Sequence, residues 1–471
     1  MFHVEQVLIC SVAATTLLAA AEPTAAPAPS PAPIVQLPLA TNNVAANQFM
    51  QAGMVDLLLG WEESARVHFE KAVVADEMCS LAYVGLMMTE PDVQKRAESL
   101  AALSERISTL PTTPVEAFYL STFLKLIGND HLGAAEDFCR RAERFRRDTF
   151  SACWGILLLH SADLGYDEQG KPLRLQERAL ELAEKLYAQY PENALVCFVR
   201  AYVEEAAPVV SEKALQAAMK AVELLPEHPI PAHLLGHLYY RSGQAEKSIP
   251  HFIKAVQAAT GKGIPEWESA VLMTSRLYVS TAMWSAGMDS RALATRRAMN
   301  AMPLDREHLH APAVILQRWE AATLPLRVLV MRPDTPTPGE ITAAAKAAEV
   351  KPALPGDDPV LLVRDCLRAA LYARLRAAKK DAEYAARSLK LAEDALHRYE
   401  QTREATLAAG VHYITPWMRA LEACQIAINI AKAEFYAQTS EIWRENAHRA
   451  VRPVTLMLPP VIPQRSSALS Q

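Results

Sequence analysis

Two histidines four residues apart, His233 and His237, have the clearest capacity for chemistry in this sequence. They lie in the stretch AHLLGHLYYRSG, whose apolar spacing predicts a helix. Because residues at i and i+4 share one helix face, the two imidazoles are expected to be neighbours. Tyr240 and Arg241 follow on the same side of the predicted helix, so the four residues form one polar patch.

A metal site would need more ligands than this pair provides, because zinc sites in proteins have at least three protein ligands. Histidines at this spacing bind zinc in His-Glu-x-x-His proteases, but Leu234 stands where the catalytic glutamate would be, which excludes that class. Candidates for a third ligand lie elsewhere in the chain, at His251, Glu268, His308 and His310. Since the sequence cannot place any of them beside the pair, we predict no metal, no cofactor and no catalytic residue.

Two other interpretations of the patch stay open. The histidines could pack between helices, or the patch could contact a ligand, since Tyr and Arg are enriched at binding hot spots. We predict a ligand-binding groove formed by His233, His237, Tyr240 and Arg241.

The patch belongs to a repeated pair of helices. Small residues at Ala232, Gly236 and Ala255 allow the two helices around the turn at Gly243 to approach closely. Phe252 fills the space between them, and Ala218 and Ala221 precede Phe252 and Ala255 by 34 residues each. Related spacings run back to Gly53 and Phe69. Regular spacing of this kind indicates a repeat architecture in which neighbouring hairpins share one core.

This pattern resembles the tetratricopeptide repeat, with Ala232 where Trp is common and Ser248 where Ala is common. The stretch PEHPIPAHLLGHLYYRSG is similar to exported bacterial tetratricopeptide proteins that carry a His-x-x-x-His repeat helix. The resemblance implies an all-α, right-handed α-solenoid with a concave inner surface. It assigns no reaction.

Composition agrees with an all-α chain and argues against nucleic acid as a partner. The 471 residues contain only 16 Gly, and the formal net charge is −5. Nucleic-acid-binding proteins carry a clustered basic surface. The densest basic run, RRAERFRR at 140–147, is expected to be a solvated helix face.

The N-terminus predicts export. Residues 1–21 contain a short apolar run followed by small residues, which is typical of a signal peptide, although no Lys or Arg precedes Arg66. Residues 22–42 are rich in Pro and Ala and predict a tether. We therefore expect a periplasmic or secreted protein that meets a membrane only if the signal stays uncleaved. The six cysteines beyond Cys10 are scattered, and we expect buried free thiols.

The remaining sequence divides by composition. We predict the solenoid over 43–324, a Pro-rich linker with a short helix over 325–359, C-terminal helical hairpins over 360–451 and a Pro-rich tail over 452–471.

These observations favour a non-catalytic scaffold that binds a protein or an extended peptide on its concave face. The alternative is a metal-dependent or glycan-degrading enzyme on an α/α scaffold. For a glycan-degrading enzyme, Glu266 and Glu268 in the predicted insertion 261–268 would supply the paired carboxylates.

Overall fold

In the computed structural model, the described residues are 40–90, 105–107, 109–128, 130–162, 170–205, 209–260, 269–300 and 336–348, with isolated positions up to residue 390. All of them belong to one compact unit. They form helices and turns, and none of these described residues lies in a β-strand. The predicted all-α class is therefore confirmed.

Within the described residues there are fourteen helices, numbered here in chain order. They are α1 (Val44–Leu59), α2 (Glu62–Ala75), α3 (Ser80–Met88), α4 (Pro114–Ile127), α5 (His131–Arg144), α6 (Thr149–Ala162), α7 (Arg174–Gln189), α8 (Ala194–Tyr202), α9 (Glu212–Leu224), α10 (Pro229–Arg241), α11 (Ala245–Ala259), α12 (Ala270–Ser285), α13 (Asp289–Asn300) and α14 (Pro338–Ala347).

The helices from α1 to α13 pack in chain order, each against the next. Consecutive helices pair as hairpins, and in each hairpin we call the earlier member the first helix: α1–α2, α4–α5, α6–α7, α8–α9, α10–α11 and α12–α13. Short turns join the two helices of a hairpin except in two cases, where residues 163–173 separate α6 from α7 and residues 203–211 separate α8 from α9. First helices also contact one another, α6 with α8, α8 with α10 and α10 with α12. A continuous layer of first helices thus joins successive hairpins.

Glycines let a phenylalanine wedge between helices. A Cβ atom added to Gly53 of α1 would lie 2.5 Å from the Phe69 ring of α2, and one added to Gly85 of α3 would also lie 2.5 Å from it. Gly236 of α10 faces Phe252 of α11 in the same way, at 2.9 Å. The spacing of Gly53 and Phe69 along the chain therefore produces the same contact as that of Gly236 and Phe252.

Local sequence signals begin and end the helices. Asn43 accepts hydrogen bonds from two backbone amides of α1, and Gly60 ends that helix with a φ of 85° in the left-handed region that favours glycine. Gly243 has a φ of 76° in the predicted turn between α10 and α11. The short helix expected in the Pro-rich linker is present as α14, where Thr337 and Glu340 form a capping box.

The cysteine prediction agrees with the structure where it is described, whereas the prediction of a solvated helix face at 140–147 holds only in part. Free, buried thiols are found at Cys79, Cys139, Cys153 and Cys197. In the basic run, the Arg140 side chain is exposed and pairs with Asp137, whereas Arg141 is largely buried and pairs with Asp148.

Other predicted segments lie outside the described residues. These are the signal peptide 1–21, the tether up to residue 39, most of the linker 325–359, nearly all of the hairpins 360–451 and the tail 452–471. Among the helices that the structure describes, none combines the length and apolar character that a membrane crossing requires.

Candidate functional site

The predicted patch lies on α10, a first helix whose start is specified locally. His228 caps the helix by accepting a hydrogen bond from the Ile230 amide, and Pro229 occupies the first turn, where no helical amide bond is lost. The helix lies between α8 and α12. Its polar side chains therefore meet two neighbouring first helices.

His237 is buried and paired, with 3% of its surface exposed. Its Nδ1 lies 3.0 Å from Glu205 Oε1, just after α8. Its Nε2 lies 3.2 Å from the Tyr278 hydroxyl of α12, and the two rings meet edge to face with centroids 5.1 Å apart. Through these contacts His237 connects α8 to α12 across α10.

Glu205 is the charged partner that this arrangement requires. Burial alone would raise the pKa of its carboxyl group. The charge and hydrogen bond of His237, with the nearby charges of Arg241 and His160, outweigh burial and hold the pKa at about 2. Glu205 is therefore an ionised carboxylate inside the helical layer.

His233 lies one turn earlier and packs differently. Its Nδ1 is 2.9 Å from the Ser275 hydroxyl, and its ring meets Phe252 and Tyr278 edge to face. Burial, followed by the neighbouring His237, lowers the pKa of His233 to about 3. The imidazole is therefore neutral near pH 7 and acts as a hydrogen-bonding packing residue.

Tyr240 and Arg241 end the helix and are both part-exposed. The Tyr240 hydroxyl lies 3.0 Å from the Ser285 hydroxyl at the end of α12, and burial raises the Tyr240 pKa to about 12. Arg241 donates a hydrogen bond to the Ala207 carbonyl beyond α8. These two side chains, unlike His237, present surface that a ligand can reach.

A polar contact continues the site on the other side of α8. His160 of α6 and Gln176 of α7 are joined by a hydrogen bond of 2.7 Å, and Gln176 donates in turn to the Val203 carbonyl. Burial lowers the pKa of His160. Within the described part of the chain, His160 Nε2 is buried without a hydrogen-bond partner. Polar side chains thus run from α6 to α12.

Sequence reasoning placed the four patch residues on one helix but missed their partners. Glu205 and Tyr278 lie 32 and 41 residues from His237, and Ser275 lies 42 residues from His233. Only the packing of α8 and α12 on α10 brings them together. The spacing between repeats could have indicated these partners, because side chains at matching positions of successive first helices become neighbours.

The metal interpretation gains no ligands from the described residues, where no group of three His, Cys, Asp or Glu is arranged around a common point. His251 stacks on Tyr239, with ring centroids 5.4 Å apart. The other candidate ligands and the predicted carboxylate pair lie outside the described residues, at Glu266, Glu268, His308 and His310.

Comparison with known proteins adds no relative. A scan against models of known protein families finds no match, and a search of curated proteins finds none either.

Proposed function

We propose that this protein is a non-catalytic binding scaffold. In this proposal the hairpins form a right-handed α-solenoid of tetratricopeptide-like repeats, and a protein segment or extended peptide lies along the inner face built by the first helices. The work of the scaffold is done outside the cytoplasm, as the N-terminal composition indicates.

One observation carries the proposal: the first helices α6, α8, α10 and α12 pack on one another in series. Stacking of this kind supports an extended inner surface, which is the usual ligand face of repeat proteins. The residues on it are held in place by buried contacts, above all His237 with Glu205. A pre-organised surface of this type loses little conformational entropy when a ligand binds.

Within this proposal, Tyr240 and Arg241 contact the ligand, and His233 and His237 stabilise the packing of the first helices beneath them. Tyr supplies a large contact area with few rotatable bonds, and Arg supplies several donors for backbone carbonyls or acidic side chains. Because both side chains are part-exposed at the end of α10, a peptide can reach them without unfolding the helix.

Selection from random peptides displayed on phage tests the proposal. We expect enrichment of a peptide family whose affinity falls about tenfold in Tyr240→Ala and in Arg241→Ala, as for hot-spot residues. The matched control is Lys185→Ala on the second helix α7, whose side chain is exposed and forms a 3.7 Å ion pair with Glu181. Failure to enrich any family, or equal loss in the control, would contradict the proposal.

Export has its own experiment. Expression of the full chain in a Gram-negative host, followed by fractionation, is expected to place the protein in the periplasm or the medium. Removal of residues 1–21 is expected to leave it in the cytoplasm. If the two forms fractionate alike, the extracytoplasmic part of the proposal is wrong.

A further inference from the structure

The turn of the first hairpin contacts helices that are remote from it in the sequence. Trp61, between α1 and α2, has only 4% of its surface exposed, although it lies in a turn. Its ring meets the edge of His228 at the start of α10, with centroids 5.0 Å apart. It packs in an apolar cluster with residues from the start of α10, the end of α11 and the start of α12: Ile230, Val256, Ala259, Val271 and Leu272.

Two polar contacts flank the tryptophan. His228 Nε2 lies 3.2 Å from Asp56 Oδ1 of α1, between residues 172 apart in the chain. The Val271 amide at the start of α12 donates to Glu63 Oε1 of α2 over 3.4 Å, between residues 208 apart. One apolar and two polar contacts therefore join the hairpin α1–α2 to α10, α11 and α12.

The same hairpin covers part of the proposed binding face. Helix α1 contacts α8 directly, in addition to the contact of Asp56 with the start of α10. Nearly every described side chain of α8 and most of those of α12 are buried. In this conformation, an extended peptide can reach the end of α10 but not the inner face of α8.

Among the described residues, the contact surface contains a buried polar group without a partner. In the part of the chain that the structure describes, the Trp61 indole Nε1 is buried at this contact without a hydrogen-bond partner. The Glu63 carboxyl group is also buried there. A buried polar group that lacks a partner favours the open state, in which water satisfies it.

We propose that the hairpin α1–α2 is a releasable latch that occupies the inner face of α8 and the first turns of α10 and α12, so that a peptide gains this face only when the latch opens. This inference rests on the binding function proposed above. The occupant is the hairpin itself, and Trp61 is its anchor. The apparent affinity for the peptide equals the affinity of the open form multiplied by the fraction of molecules in which the latch is open.

Three variants test the latch. His228→Asn removes the contacts with Asp56 and Trp61 but keeps a preferred helix-capping residue. Trp61→Ala removes the anchor from the other side. Ser211→Asn is the matched control, because it changes the capping residue of α9 without touching the hairpin α1–α2. Hydrogen exchange of α8 and of the start of α10 measures opening in each full-length variant.

We expect faster exchange in His228→Asn and Trp61→Ala than in wild type and Ser211→Asn. We also expect random peptides displayed on phage to yield binders with about tenfold higher affinity for the two loosened variants. Unchanged exchange in both loosened variants overturns the latch. Faster exchange with equal peptide affinity for all four proteins also overturns it but leaves the binding function standing. Faster exchange with no peptide enriched by any protein overturns the binding function, and the latch inference with it.

Discussion

Replacement of Glu205 by Gln tests whether the buried contact between Glu205 and His237 stabilises the layer of first helices. The substitution keeps an oxygen that can accept a hydrogen bond from His237 Nδ1 but removes the negative charge. Glu205 and His237 are both largely buried, so solvent screens their interaction only weakly. We therefore expect a loss well above that of a surface ion pair.

The magnitude follows from the pKa of the carboxyl group. Its value falls from an ordinary 4.5 to about 2 in the folded chain. This difference corresponds to about 3 kcal/mol of folded-state stabilisation at neutral pH. Because the folded pKa of Glu205 is depressed, this contribution is present above pH 4.5 and is lost as the pH falls toward 2. At about pH 3 less than half of it remains.

The assay compares wild type with Glu205→Gln by native-state hydrogen exchange of α8 and α10 in low urea. Local exchange is preferred to a single melting curve because the repeat array that we propose is expected to unfold in several steps. Urea unfolding followed by circular dichroism extends the comparison to about pH 3. The control is Glu181→Gln, whose exposed partner Lys185 is 3.7 Å away, for which we expect a change within about 0.5 kcal/mol. Equal stability of Glu205→Gln and wild type near pH 7, or a difference that does not shrink in acid, would refute the reasoning.

Three further outcomes follow from the packing and the buried groups. Gly53→Ala should lower the unfolding free energy by about 1–3 kcal/mol, because the new Cβ would lie 2.5 Å from the Phe69 ring. The control Gly339→Ala should be neutral or stabilising, because its Cβ would have no atom within 4 Å. Equal thermal midpoints for the two variants would contradict this prediction. Burial raises the pKa of Glu63 from 4.5 to about 7, so its stabilising contribution is complete below 4.5 and is lost as the pH rises through 7. Glu63→Gln should therefore be more stable than wild type above pH 7. Hydrogen exchange of α12 measures the difference, and slower exchange in wild type than in Glu63→Gln would contradict this prediction. Iodoacetamide should leave four buried thiols unmodified in the native protein: Cys79, Cys139, Cys153 and Cys197. Burial raises the pKa of each thiol and so lowers the fraction of reactive thiolate. Labelling of any of the four before unfolding, detected by mass spectrometry, would contradict their burial.

The helical hairpins could be predicted because their signals are local. The spacing from Gly236 to Phe252 is repeated by Gly53 and Phe69, and both pairs make the same contact in the structure. A small residue opposite a large ring, separated by a short turn, requires no knowledge of distant parts of the chain. The same holds for the cap of α14 at Thr337.

The site was less predictable because its partners are distant in sequence. Helical spacing placed His237 on one face with Arg241, but spacing within one helix does not report which neighbour covers that face. The structure brings Glu205 and Tyr278 to His237 from two other helices. The return of the first hairpin to His228 spans 172 residues, and no periodic pattern predicts such a contact.

Photo-crosslinking of a selected peptide to the full-length protein tests the central claim, binding along the first helices, most directly. A peptide enriched on phage would carry a photoreactive group at each position in turn, and mass spectrometry would identify the residues it labels. We predict labels on α10, concentrated near Tyr240 and Arg241, with further labels on α8 and α12. Labels confined to the second helices α7, α9 and α11 would contradict the claim.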